Sequence, residues 1–326
     1  MNGESRDPNL AESQECTEHR NMFNQGSVGS DCGFSEEGGA VELDHAALTY
    51  LPNLANKSIE QLIHLAGLAE KIENFEDMRI VMREVALRKN ILTEQERTLV
   101  ASAYKNTVGK RRASWRQIYE LEQTEMAKVR EREKFERCGS EHSILTAEDL
   151  ENGGIDVPLP VDSRSAPELH GHSPLLIMGR IVREDLEDLC LEFIDLVSRL
   201  LEYSQENEST VFYKKLIADY YRYLSEYVDD GARAGFIKEA NRFYTEALEL
   251  ASAELLPTNT IRLGLALNVS VFYFEIMNTP DKACELAKTT YDCGVSSLDG
   301  VKGSKESLLL LDLLRENLTV WTTAET

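Results

Sequence analysis

From Asn53 to Val157 the chain contains no proline, and over most of that distance apolar residues recur at helical spacing. Proline removes a backbone donor and clashes with the preceding turn, so a proline-free stretch of this length is open to long α-helices. Start signals divide it. Ser58 with Gln61 forms a capping-box pattern ahead of the stripe Leu62, Leu65, Leu68 and Ala69. Asn74 can cap a second helix carrying Ile80, Val81, Val85 and Leu87. Thr93 with Glu96 repeats the capping box and opens a long helix, expected to run through Lys105, Arg112 and Trp115 to about Arg137.

Residues 138–173 break the pattern with Pro158, Pro160, Pro167, a Gly-Gly pair and scattered acids, the composition of a flexible insertion. Helical spacing returns at Pro174 with Ile177, Ile181, Leu186, Leu189, Phe193 and Leu196. Further helices are expected over 209–229, 234–255, 259–277 and 305–321, with a short one opened by Thr279 and Pro280. Residues 1–56 are rich in Gly, Ser, Asn and Glu without a sustained period, and read as a disordered extension. The expectation is an all-α protein of nine antiparallel helices over 57–326, with no strand.

The formal net charge is −22, which excludes a general nucleic-acid binder, because such proteins need a basic surface to release counterions. The charge is uneven. Residues 1–56 and 139–173 hold fourteen of the excess negatives, whereas residues 97–119 contain six basic side chains and no acid. The six cysteines show no CxxC pair and no metal-ligand spacing. No secretory leader or membrane-spanning run is recognisable, so a cytosolic protein is expected. All six histidines lie at or before His172, and neither a catalytic triad nor a glycine-rich phosphate loop can be assembled, which argues against an enzyme.

One stretch carries unusual chemistry. In KLIADYYRYLSE (215–226), Lys215, Asp219, Arg222 and Tyr223 fall at i, i+4, i+7 and i+8 and share a helix face. An ammonium, a guanidinium, a phenol and a carboxylate able to hold the guanidinium suit a groove that receives an anion such as a phosphate. The long third helix repeats the seven-residue Lys/Arg spacing with Lys105 and Arg112, and Arg116 follows one turn on. Taken alone that run reads as a solvated basic face; the repetition points to a shared site. In RLGLALNVSVFYFEI (262–276), Asn268, Val271 and Glu275 lie on one stripe of an otherwise apolar helix. Asn268 is either satisfied within the core or bonds the main chain of an extended peptide. Leu309, Leu313, Asn317 and either Val320 or Trp321 recur on the last helix, whose leucines exceed what one buried stripe requires.

The runs VASAYKNTVGKRRASWRQIYELEQ, VFYKKLIADYYRYLSE, PTNTIRLGLALNVSVFYFEIMN and LLLLDLLRENLTVW closely resemble the 14-3-3 family of phosphoserine/phosphothreonine-binding adaptors. The resemblance covers about residues 57–326 outside the insertion. It implies a cup-shaped homodimer or heterodimer whose protomers each hold an amphipathic groove for phosphorylated client proteins, with no cofactor. It also implies phosphate contacts from Arg112, Arg222 and Tyr223, with Lys105 beside them. Asn268 and Glu275 are implied to contact the ligand's backbone or flanks, and Lys215 and Asn317 to add polar contacts. Leu267, Val271, Leu309, Leu310 and Leu313 are implied to line an apolar wall that ends at Trp321. The alternative is a helical-repeat scaffold for unphosphorylated partners.

The departures from the family sit at its dimer interface. Asn74 stands where arginine is usual, Ile181 where lysine is usual, and Met178 where tyrosine is usual. Two ion pairs are therefore expected to be missing, while Leu68, Ile72, Met178 and Ile181 keep or extend the apolar contact. Exposed ion pairs contribute only about 0–1 kcal/mol each, so a dimer is still expected, with altered partner choice. Ser114, in KRRAS, has the form of a basic-directed kinase site near that interface. Its phosphorylation would put a dianion into the seam and favour monomers; the alternative is a small buried residue.

Overall fold

The computed structural model describes residues 54–141, 174–228, 230–298 and 304–323, with side chains of the first stretch described to residue 132. Nine α-helices account for nearly all of these residues, and no strand occurs among them. They are α1 (Ile59–Lys71), α2 (Phe75–Arg88), α3 (Glu94–Glu141), α4 (Pro174–Glu202), α5 (Asn207–Leu224), α6 (Asp230–Glu254), α7 (Thr260–Val271), α8 (Pro280–Leu298) and α9 (Lys305–Thr323). The long third helix continues four residues past its expected end. Leu54–Asn56 form a 3₁₀ turn ahead of α1, and Arg88 ties the turn down by donating to the carbonyls of Leu54 and Lys57. The remainder of 1–53, and residues 142–173 of the expected insertion, lie outside the described residues.

The start signals act as their chemistry requires. Ser58 Oγ accepts from the Gln61 N–H at 3.3 Å while Gln61 Oε1 accepts from the Ser58 N–H at 3.0 Å. Thr93 and Glu96 form the same reciprocal pair, and Lys89 adds an ammonium to the Glu96 carboxylate at 2.6 Å. Asn74 caps α2 through the Asp77 N–H, and Asn259 caps α7 through the N–H groups of Ile261 and Arg262. Two turns use the left-handed region, at Glu73 (φ 56°) and Asn278 (φ 49°), which lets the chain reverse between elements in three residues.

Two expected boundaries shift. The helix expected over 209–229 closes at Leu224 with a turn through Ser225, Glu226 and Tyr227, which takes Glu226 off the regular helix. The helix expected over 259–277 is α-helical only to Val271. Phe272–Ile276 then widens into a π turn, with the Met277 N–H reaching back five residues to the Phe272 carbonyl at 3.0 Å.

Consecutive helices pack on one another from α1 to α6, and α7, α8 and α9 form a second set that meets the first through α5 and α6. Helix α7 is apolar nearly all round because two cores use it. Leu265, Val269 and Phe272 join Val211, Ala240, Tyr244 and Ala247 on one side. Leu263, Leu267 and Val271 join Ala283, Ala287, Leu311, Leu314 and Trp321 on the other. Helices α8 and α9 approach closely at Gly294, where a Cβ would lie 2.6 Å from Leu311 Cδ2. Only glycine fits that contact without moving a buried leucine.

Candidate functional site

Helical spacing places Lys215, Asp219, Arg222 and Tyr223 on one face of α5, and Lys105, Arg112 and Arg116 along α3. What joins the two faces is Glu226, in the turn after α5. Its side chain is only 8% exposed. Both of its oxygens accept from Arg112 Nη2, at 2.7 and 2.8 Å. One also accepts from Arg116 Nη2 at 3.2 Å, and Arg222 Nη1 lies 3.8 Å away. One carboxylate therefore gathers three guanidiniums from two helices.

Asp219 is the second organising acid. It accepts from Lys215 Nζ at 2.7 Å, from Asn268 Nδ2 on α7 at 2.8 Å, and from the Tyr244 hydroxyl on α6. The Tyr244 oxygen in turn accepts from Arg222 Nε at 3.2 Å, and Arg222 Nη2 lies 3.7 Å from Asp219. Asn268 is thus satisfied by the acid of the arginine cluster, which leaves its amide oxygen without a hydrogen-bond partner among the described residues.

Tyr223 stands between the two halves. Arg112 Cζ lies 3.9 Å and Arg222 Cζ 4.7 Å from the ring centroid, both within cation–π range. Its hydroxyl bonds no described residue. Lys105 is exposed and has no ion-pair partner among the described residues.

Burial alone would raise the pKa of the Glu226 carboxyl, but the charges of Arg112, Arg222 and Arg116 outweigh it and hold the group at about 2. Asp219 behaves alike: desolvation opposes ionisation, and Lys215 and Arg222 overcome it. Arg112 and Arg222 are 8% and 9% exposed, and their carboxylate neighbours keep both charged against the desolvation cost. Buried ion pairs gain little over well-packed apolar residues, so four cations and two acids in one cluster are weak as a stabilising device. Buried, charge-perturbed clusters of this kind concentrate at functional sites. Arg112, Arg116, Arg222 and Lys215 against Glu226 and Asp219 leave two net positive charges, and Lys105 lies two helical turns before Arg112 on α3.

The remaining expected groove residues distribute over α7 and α9. Leu267 and Val271 are buried in the second core, and Trp321 is buried there with its ring stacked on Phe274 at 4.7 Å. These three offer at most an edge to a ligand. Leu309 is exposed, and Leu310 and Leu313 are half-buried, so the leucines on α9 do present a second apolar face beside the buried stripe Leu311, Leu314 and Trp321. Glu275 sits exposed in the π turn. Asn317 Nδ2 is buried with no hydrogen-bond partner among the described residues, an uncommon condition for a buried donor.

The expected interface residues lie on α1, α3 and α4. Leu68, Ile72, Met178 and Ile181 are all exposed, Ile72 at 73% and Ile181 at 58%. Asn74 carries no charge and uses its side chain on Asp77, and Arg111 on α3 donates to Asp185 on α4. Ser114 is exposed, its hydroxyl donating to the Lys110 carbonyl at 3.2 Å. The reading of Ser114 as a small buried residue is therefore corrected. Two positions from the inward-facing Arg112, it falls on the opposite side of α3.

Glu226 and Tyr244 join the charged cluster although their roles in it are not among the sequence expectations. Glu226 had a signal, lying four residues after Arg222 on the same helical register. Tyr244 had none, because only the packing of α6 on α5 brings it to Asp219. Among the described residues no cluster of His, Cys, Asp and Glu could hold a metal ion, and no helix is long and apolar enough to cross a membrane. A crevice of about 680 Å³ between the α2–α3 connection and the start of α5, lined by Ile91, Arg97, Tyr203 and Tyr213 among others, includes none of Lys105, Arg112, Lys215, Arg222 and Tyr223.

Comparison with known proteins follows the same lines. The 14-3-3 protein family model matches residues 65–152 and 178–322. Over 266 residues the chain is 36% identical to 14-3-3 protein zeta of Bombyx mori, covering 81% of this chain and 92% of that protein. It is 37% identical over 265 residues to 14-3-3 protein beta/alpha of Gallus gallus, covering 80% and 92%. It is 38% identical over 269 residues to 14-3-3 protein 3 of Entamoeba histolytica, covering 82% and 96%.

Proposed function

Because the chain belongs to the 14-3-3 family of client-binding adaptors, we propose that it binds phosphoserine and phosphothreonine motifs of client proteins at the Arg112–Arg222–Tyr223 cluster. The observation that carries this reading is the pair of buried guanidiniums held by internal carboxylates around a free phenol. A phosphate monoester has three oxygens that accept bidentate, charge-assisted bonds, and its second ionisation makes it a dianion at neutral pH. Arg112 and Arg222 bracket it, the Tyr223 hydroxyl donates from between them, and Lys105 adds charge at the rim. The main chain of the peptide runs past Asn268 and the orphaned amide of Asn317, with Lys215 and Glu275 on its flanks and Leu309, Leu310 and Leu313 against its apolar side chains. The chain acts without catalysis, in the cytoplasm, by holding clients.

Two such grooves are presented by a dimer. Leu68 on α1, Ile72 directly after it, and Met178 and Ile181 on α4 are too apolar and too exposed to suit a monomer, and a second copy covers them. Without charged pairs at Asn74 and Ile181, this seam is held by apolar burial and favours the homodimer over pairing with a relative that carries charges there.

The decisive test is fluorescence-anisotropy titration with a phosphoserine peptide and its unphosphorylated twin. Strong preference for the phosphopeptide is expected; equal binding of the two would sink the reading in favour of a scaffold for unphosphorylated partners.

A further inference from the structure

We propose that Glu226 is a built-in counter-anion of the phosphate cradle, a residue that sets the cradle's affinity and its selectivity for dianions. This rests on the phosphate-binding reading above. The geometry is that of an occupied anion site: three guanidiniums converge on one carboxylate, and Arg112 commits the same Nη2 to both of its oxygens. A carboxylate presents the acceptor fork that a phosphate would present to the same arginines. An arriving phosphate must therefore share Arg112, Arg116 and Arg222 with a negative charge that never leaves.

Two consequences have opposite signs. In the empty protein the carboxylate compensates buried cations, so removing its charge leaves them unpaired and destabilises the fold. In the loaded protein the same carboxylate repels the ligand from a few ångströms away in a medium of reduced dielectric, so removing its charge tightens binding. A purely structural ion pair would give the first effect alone, with affinity unchanged or weakened as the arginines lose their alignment. Selectivity follows from the charge count. With Glu226 ionised, the paired cluster carries two net positive charges and suits a dianion; without it there are three, and monoanions gain relative to before.

The test compares wild type with Glu226→Gln, which keeps the shape and removes the charge. The probes are a phosphoserine peptide, its glutamate-substituted counterpart, and inorganic phosphate. Expected for the variant are a lower Tm when empty, a larger Tm rise on adding phosphate, roughly tenfold or greater tightening for the phosphopeptide, and a narrower gap between the two peptides. Equal or weaker phosphopeptide binding by a variant with wild-type helical circular dichroism would overturn the proposal. Should Glu226→Gln not fold, Glu226→Asp keeps a charge but draws it back from the arginines by one methylene. Tighter phosphopeptide binding than wild type by folded Glu226→Asp supports the counter-anion role, and equal or weaker binding overturns it. Wild type binding phosphorylated and unphosphorylated peptides equally would count against the phosphopeptide reading itself, while the Tm response to inorganic phosphate would still report on Glu226.

Discussion

Arg112 lies with its Cζ 3.9 Å from the ring centroid of Tyr223, although the two residues belong to helices separated in sequence by the whole of α4. The same ring receives Arg222 at 4.7 Å, so one aromatic side chain contacts both guanidiniums, while its hydroxyl bonds no described residue. Tyr223 therefore has two separable tasks. Tyr223→Phe keeps the spacer and removes one hydrogen bond to phosphate, at a cost of about 1–2 kcal/mol in affinity. Tyr223→Ala removes the spacer as well and should lose roughly a further 1–2 kcal/mol. Titrating both variants with the phosphoserine peptide separates the tasks; identical losses would show that the ring contributes nothing beyond its hydroxyl.

Arg112 and Lys105 are predicted to differ in what they support. Arg112→Ala removes a buried partner of Glu226 along with a phosphate ligand, so both thermal stability and phosphopeptide affinity fall, the latter roughly a hundredfold. Lys105 is exposed and paired with no described residue, so Lys105→Glu should weaken phosphopeptide binding with Tm nearly unchanged. A large drop in the Tm of Lys105→Glu would contradict its exposed setting without an ion-pair partner among the described residues.

Acid should weaken the fold through the two buried carboxylates. Glu226 is held at about 2, below its ordinary value of 4.5, so its contribution is fully present above pH 4.5 and is lost as pH falls toward 2. For a group this buried the contribution is on the order of 3 kcal/mol. Asp219 is lowered as well and acts in the same direction. Melting curves between pH 6 and pH 2.5 should show a steep loss below pH 4.5 that is shallower in Glu226→Gln. A wild-type curve that stays flat in that window would contradict the ionised, paired state of Glu226.

The exposed apolar seam on α1 and α4 predicts oligomeric behaviour. Ile72→Asp and Ile181→Asp each place a charge where the proposed burial against a second copy would contribute about 1.5–3 kcal/mol per side chain. Light scattering should report monomers for either variant, with helix content retained because both sites are exposed on the protomer. Ser114→Glu should shift the same equilibrium toward monomers. A dimer unchanged by all three variants would place the seam elsewhere.

The local features of this fold were legible because they depend on residues three or four apart. The capping pairs Ser58–Gln61 and Thr93–Glu96 and the common face of Lys215, Asp219, Arg222 and Tyr223 follow from helical geometry and needed no knowledge of neighbours. The π turn at Phe272–Ile276 was not legible, since its residues suit an ordinary helix. Nor could composition alone decide which of the leucines on α7 and α9 would be buried. Both helices are apolar on more than one side, and only the position of α8 selects Leu267 and Leu311 for the core while leaving Leu309 exposed.

By itself, then, the order of residues determined nine helices, their caps and the chemical character of each face, because hydrogen bonding and side-chain direction within a helix are local. Only the tertiary structure decided that Arg112 would meet Glu226, 114 positions away, and that Tyr244 would brace Asp219 against Arg222. Those pairings depend on how α3, α5 and α6 pack. A buried carboxylate finds its cations in space, where desolvation makes each partner matter.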